Sequence, residues 1–182
     1  MQMETVDAAG LKADALAGGE RARNAFERLW NAYYKRLLFF AACYRGLPSA
    51  EREDQVSEAL IKAFRALSAY QPGRSLDAWL YRIAANQFAD LTRKAKRFCP
   101  LVAELAVPGR QEQEFERRDA AERCRAVLAT LDDRDRRIAQ LCFHESFSSR
   151  EAGETLGLPA ATVRWRISVI RAKASKALGE EA

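Results

Sequence analysis

The chain has 182 residues, 48% of them apolar and 30% charged, with a formal net charge of +5. That supports buried cores in one medium domain or two small ones, and its mild basic excess is compatible with a nucleic-acid partner. No run of about 18 apolar residues occurs and residues 1–25 lack a signal-type apolar core, so the expectation is a soluble, cytoplasmic protein without membrane insertion.

Residues 1–24, rich in Ala and Gly, are read as a frayed helix or a disordered N-terminal tail. From Phe26 a helix is predicted on the stripe Phe26, Leu29, Trp30, Tyr33, Leu37, Phe40 and Tyr44, broken at Gly46-Leu47-Pro48. Ser49 is positioned to cap the next helix, whose first turns carry Glu51, Glu53 and Asp54 and whose inward face is Val56, Leu60, Phe64 and Leu67. Pro72-Gly73 signals a turn, after which Ser75 opens a third helix with Leu76, Trp79, Leu80, Ile83 and Leu91 inward. Arg82, Asn86, Arg93 and Arg97 share one polar face of that helix, beside Tyr81, which is read as exposed. Such a face is either a solvated charged surface or a contact for a nucleic-acid strand. Asp90 is placed to orient its neighbours.

The helical pattern stops between about 98 and 111, where Pro100, Pro108 and Gly109 suggest a linker. It resumes in EQEFERRDAAERCRAVLATL with Cys124, Val127, Leu128 and Leu131 inward, and Asp132 then caps a helix presenting Ile138, Leu141 and Cys142. No segment alternates like a strand, so the fold class is all-α.

The C-terminal stretch SSREAGETLGLPAATVRWRISVIRAKASKAL is the most informative. Ser148 and Glu151 form a capping box, with Phe147 placed to staple onto Ala152. Gly153 is small where two helices cross, Gly157 suits a left-handed turn, and Pro159 falls in the first turn of the following helix. Val163, Ile167, Ile170 and Ala174 face inward; Arg164, Trp165, Ser168 and Arg171 face outward, with Arg166, Lys173 and Lys176 on a neighbouring flank. This is the layout of a helix-turn-helix with a cationic outer face, suited to the DNA major groove, although an ordinary amphipathic helix has the same period.

Other chemistries find little support. Four dispersed cysteines (43, 99, 124 and 142) and the single His144 do not make a metal site, so no metal or cofactor is expected. Cys43 and Cys99 are the thiols with any prospect of reactivity. No nucleophile–base pair, phosphate-cradling loop or supported carboxylate pair suggests catalysis, and His144 beside Glu145 reads as a surface or capping residue.

Taken together, the blocks FERLWNAYYKRLLFFA, EDQVSEALIKAFRAL, SLDAWLYRIAANQFADLTRKAKR and LATLDDRDRRIAQLCFHESFSSREAGETLGLPAATVRWRI resemble, in order and spacing, the sigma-70 family of bacterial sigma factors, in the small extracytoplasmic-function (ECF) group. The resemblance implies two small helical domains joined by a flexible linker: a tail at 1–24, region 2 at 25–97, a linker at 98–117 and region 4 at 118–182. It implies a promoter-specific initiation factor whose partners are core RNA polymerase, promoter DNA and an anti-sigma factor. Asp54 and Glu58, supported by Val56 and Leu60, would dock on polymerase. The loop Tyr70–Ser75, with Gln71, Arg74 and Ser75, would capture an unstacked −10 base, and Arg82, Asn86, Arg93, Lys94 and Arg97 would hold that strand. Thr162, Arg164, Trp165 and Ser168 would read the −35 element while Arg166, Arg171 and Lys173 favour phosphates. A one-component helix-turn-helix repressor or activator is the alternative, disfavoured by the N-terminal blocks.

The chain departs from the family pattern at several positions. Ala152-Gly153 replaces Ile-Ala, which should loosen packing and weaken the first helix by about 1 kcal/mol. Trp165 replaces a common Ser, and either stacks on sugar or a thymine methyl or is buried against the domain. Val169-Ile170 replaces Arg-Ala, and Gln55 and Ser57 differ within the docking helix.

Overall fold

The computed structural model describes residues 7–98, 127–128 and 130–178, without the side chains at 94–98 and 177–178. Cys99, Cys124, the expected linker and most of the helix expected around EQEFERRDAAERC lie outside the described residues. The chain divides into two compact units, Met1–Val102 and Ala103–Ala182. Every regular element among the described residues is helical.

The first unit comprises α1 (Ala8–Ala17), α2 (Gly19–Ala42), α3 (Ser49–Arg65), a single tight turn at Leu67–Ala69, and α4 (Leu76–Phe98). Within the segment read as a tail or frayed helix, Ala8–Ala17 is a formed helix. The Asp7 side chain caps it by accepting from the Ala9 N–H at 3.1 Å, and Leu11 is fully buried. A lone buried leucine in an Ala-rich stretch gives too weak a periodic signal to announce such a helix. After a turn at Gly18–Gly19, both at positive φ, α2 begins well before Phe26.

The core of this unit is aromatic. Leu29, Tyr33, Leu37 and Phe40 of α2 meet Val56, Leu60 and Ala63 of α3 and Leu80, Tyr81, Ala84 and Phe88 of α4, all buried. The Phe40 ring lies 5.1 Å from Tyr81 and 5.5 Å from Tyr44, both edge-on, the arrangement that ring quadrupoles favour. Tyr81 was expected on the surface and is instead fully buried. It precedes Ala84, Ala85 and Phe88 at helical spacing, and this wider apolar stripe takes it inward. Ser49 is the first residue of α3 rather than its cap; Pro48 occupies that position, with no side-chain hydrogen bond.

In the second unit α5 (Asp133–Ala139) starts at an Asp132 cap, whose Oδ1 accepts from the Asp135 N–H at 2.7 Å. It runs into a wider turn at Gln140–His144, closed by Glu145 N–H donating to the Gln140 carbonyl at 3.0 Å. Then come α6 (Ser149–Leu156) and α7 (Ala160–Leu178). Leu131, Ile138, Leu141, Phe147, Ala152, Val163 and Ile170 form its buried apolar set.

The α6–α7 junction follows the sequence closely. The Ser148–Glu151 capping box is complete, and Gly157 sits at φ 67° and ψ 35°, a left-handed conformation that disfavours a Cβ. The Pro159 carbonyl accepts from Val163 N–H at 3.1 Å, so Pro159 sits just outside α7 rather than within its first turn. Gly153 corrects the expectation of loosened packing. A Cβ there would lie 2.5 Å from the Leu158 carbonyl oxygen, so the glycine permits a closer approach than alanine would.

Candidate polymerase and nucleic-acid interfaces

On α3 the four residues expected at the docking surface separate by depth. Asp54 and Glu58, one turn apart, are exposed, whereas Val56 and Leu60 are fully buried. The two apolar residues can therefore only back this face from within. Ile61, three residues after Glu58, is 38% exposed and extends the outer face with an apolar side chain. Gln55 is half-buried and tied to α4, because Gln87 Nε2 donates to both its carbonyl and its Oε1 at 3.0 Å. That departure in the docking helix is a packing contact inside the unit.

The loop between the Leu67–Ala69 turn and α4 is short and internally bonded. Arg74 N–H donates to the Gln71 carbonyl at 3.3 Å around Pro72-Gly73, with Gly73 at φ 97°. Tyr70 is buried and its hydroxyl donates to the Arg74 carbonyl at 2.6 Å. Gln71 and Arg74 are exposed. Ser75 has a local duty: its Oγ accepts from Ala78 N–H at 3.1 Å and caps α4. Along α4, Arg82, Asn86 and Arg93 are exposed on one face, with Arg93 paired to Asp90 on the same helix. The neighbour Asp90 meets is Arg93, three residues on, where its spacing suggested Asn86 and Lys94, four residues away. Lys94 and Arg97 lie further along α4, with side chains outside the described residues.

The recognition-type helix α7 also sorts its residues. Arg164, Trp165, Ser168 and Arg171 are exposed and Thr162 is half-buried. Trp165, at 59% exposure, is not packed into the domain. The Arg166 guanidinium lies 5.3 Å from its ring centroid, and that of Arg171 lies 5.8 Å from Phe143, itself 50% exposed.

Arg166 and Lys173 do not join the outer face. Arg166 donates to Asp135 Oδ1 at 3.0 Å and to Asp132 Oδ2 at 3.4 Å, and Lys173 donates to Asp135 Oδ2 at 3.3 Å. At 3.6 residues per turn Arg166 lies about 200° around the helix from Arg164, which turns it toward α5. Asp135 is fully buried, so the two cations supply the charge compensation its carboxylate needs. This hub escaped the sequence reading. Its signal was the acid in L-D-D-R-D-R, which falls among buried positions of α5 and requires a cationic partner.

Burial holds the Cys142 thiol above its usual pKa, and Cys43 Sγ contacts the Phe39 carbonyl at 3.6 Å. His144 Nδ1 lies 3.0 Å from Glu145 Oε1 at a largely exposed position.

A helix-turn-helix with an exposed cationic and aromatic face, in a chain that carries a second helical unit, is the layout of a DNA-binding protein. Comparison with known proteins specifies it further. Residues 29–98 match the model of sigma-70 region 2, and residues 127–173 match that of sigma-70 region 4. The RNA polymerase sigma factor CnrH of Cupriavidus metallidurans is 32% identical over 181 residues, covering 92% of each chain. The ECF RNA polymerase sigma factor SigW of Bacillus subtilis is 27% identical, covering 80% of this chain and 84% of its own. A solved structure of CnrH in complex with the cytosolic domain of CnrY superposes with a TM-score of 0.65 at 29% identity, covering 97% of this chain and all of that one. The fold is also that of the Bartonella quintana sigma factor RpoE solved with the anti-sigma factor NepR, with a TM-score of 0.71 at 23% identity.

The chain belongs to the sigma-70 family, in its ECF group. It is an initiation factor rather than an enzyme, and it directs core RNA polymerase to promoters. No helix among the described residues is long and apolar enough to cross a membrane.

Proposed function

We propose that the promoter-directing activity is divided between the units as region 2 at 25–97 and region 4 at 118–182, joined by a linker at 98–117. The observation that carries this reading is the sorting of side chains on α3 and α7. The residues assigned to partners are exposed, while their helical neighbours are committed to the fold. Asp54 and Glu58, with Ile61 beside them, offer polymerase two carboxylates around an apolar contact. Gln71 and Arg74, with Arg82, Asn86 and Arg93 along α4, form the −10 surface; Lys94 and Arg97, later in the same helix, are assigned to that strand by the sequence resemblance alone. Ser75 contributes by fixing where α4 begins. Arg164, Trp165, Ser168 and Arg171 form the −35 surface with Thr162 at its edge, while Arg166 and Lys173 hold the helix from behind. The protein acts in the cytoplasm, where core polymerase is found. An anti-sigma factor restrains it: RpoE of the same fold is solved with the anti-sigma factor NepR, and CnrH with the cytosolic domain of CnrY.

The test is run-off transcription with sigma-free core polymerase on fragmented genomic DNA of the source organism. Discrete transcripts dependent on this protein are expected, with shared −35 and −10 sequences upstream. Asp54→Ala with Glu58→Ala should abolish core binding while duplex binding to those −35 sequences persists. Equal loss of both by this variant, in a protein still folded by circular dichroism, would refute the division.

A further inference from the structure

The N-terminal helix α1 carries a contact that the division above does not use. Lys12 Nζ donates to the Ser68 carbonyl at 2.8 Å and to the Tyr70 carbonyl at 2.6 Å. These oxygens lie at the end of the Leu67–Ala69 turn, where carbonyls lack onward helical partners and a cation is a favourable cap. Lys12 reaches them because Leu11, next to it, is fully buried and anchors α1. From Tyr70 the bonding continues: its hydroxyl donates to the Arg74 carbonyl at 2.6 Å, and its ring lies 5.3 Å from that of Trp79 on α4. Ser75 Oγ then caps α4. A continuous run of bonds therefore leads from α1 through the entry of the loop to its exit, and leaves Gln71, Pro72, Gly73 and Arg74 exposed between two fixed ends.

We infer that Lys12 is a positioning residue for promoter opening, with α1 acting as a brace that holds the Tyr70–Ser75 loop in its base-receiving shape. The inference rests on the assignment of that loop to the −10 strand. Capturing an unstacked base already carries the cost of unpairing it, and a loop that must also be ordered would add to that cost. Lys12 removes the second cost before DNA arrives. Its role is indirect, because its ammonium is spent on two backbone carbonyls of the same unit.

The experiment compares wild type with Lys12→Met and Lys12→Arg in the full chain and in holoenzyme. Amide hydrogen exchange reads the brace directly. In Lys12→Met, exchange across residues 67–75 should rise about tenfold, the loss expected for a charge-assisted bond, while α2 and α3 keep their protection. Lys12→Arg, which can still donate to both carbonyls, should restore it. Permanganate reactivity of −10 thymines, on a promoter recovered by the run-off mapping, then reads opening. Lys12→Met holoenzyme should open that promoter about tenfold less, with core binding unchanged and with rescue by Lys12→Arg. Unchanged exchange at 67–75 overturns the brace, whatever opening does. Raised exchange with normal opening overturns instead the loop's assignment to the −10 strand, and with it the role of Lys12 in opening.

Discussion

The two units of this protein are stabilised in different ways. In the first, buried polar side chains are few: Gln87 is the one found there among the described residues, against an interior of rings and aliphatic chains around Phe40. In the second, smaller unit Asp135, Arg136, Glu145 and Thr155 are all buried, and one carboxylate gathers two cations of the recognition helix. A small domain has less apolar surface to bury, and here ionic contacts orient α7 against α5. The lesson concerns how surface charge is counted. In the first unit an Arg on the polar face of α4 stays exposed, as Arg82 does. In the second, a basic residue on α7 can be held by the fold, as Arg166 and Lys173 are by Asp135.

The largest effect should come from the aromatic core. Phe40→Ala removes the ring that touches Tyr44, Tyr81 and Phe88, and should destabilise the first unit by about 3–5 kcal/mol. Hydrogen exchange should show lost protection in α2–α4 and unchanged protection in α6 and α7. Equal loss in both would mean that the units do not hold their stability separately. Next is the ionic hub. Asp135→Ala takes from Lys173 its carboxylate partner and from Arg166 the nearer of its two, and should cost about 3 kcal/mol, the lower end for a broken buried pair because both cations keep some solvent and Arg166 keeps Asp132. Denaturant unfolding of a fragment spanning the second unit would measure it. A loss below about 0.5 kcal/mol would reduce the hub to an ordinary surface network.

A sharper form of the comparison asks where each cation of α7 spends its charge. Binding to a −35 duplex should weaken with salt, by about 0.9 in log–log slope for every phosphate neutralised. Arg171→Ala, on the outer face, should lower that slope by about one such unit. Lys173→Ala should leave it unchanged while lowering stability. The reverse result would return Lys173 to the phosphates and remove it from the hub. Gly153→Ala tests the same junction through packing. It should destabilise by about 1–2 kcal/mol, with overpacking against the Leu158 carbonyl outweighing the better helix propensity of alanine.

Local rules predicted much of this. The capping box, the left-handed Gly157 and the Asp132 cap depend on residues within a few positions of each other, so their chemistry is written in short words of sequence. Periodicity also placed the inner faces of α2 and α3. What escaped depended on distant partners. Tyr81 could not be told from a surface tyrosine until Phe40 was brought beside it. Arg166 and Lys173 lie on the same helix as the candidates for DNA, and only the packing of α5 shows that Asp135 claims them. Lys12 lies 56 residues from Ser68, in a segment whose composition announced nothing.

The smallest expected effect is also electrostatic, and lies at the start of α5. Burial alone would raise the Asp132 carboxyl, but the Asp135 backbone N–H and then the charge of Arg166 outweigh it and hold the group below its ordinary value of 3.8. A depressed acid contributes stability that is fully present above its unfolded pKa and is lost as pH falls through the lower folded value. The second unit should therefore soften only in acid, below about pH 4. The Asp135 amide, which donates to Asp132 Oδ1 at 2.7 Å, is the natural reporter. Its NMR shift should titrate with a midpoint below 3.8, and in Arg166→Met that midpoint should move upward as one of the lowering charges is removed. An unmoved midpoint would assign the depression to the helix cap alone, and would confine the reach of Arg166 to Asp135.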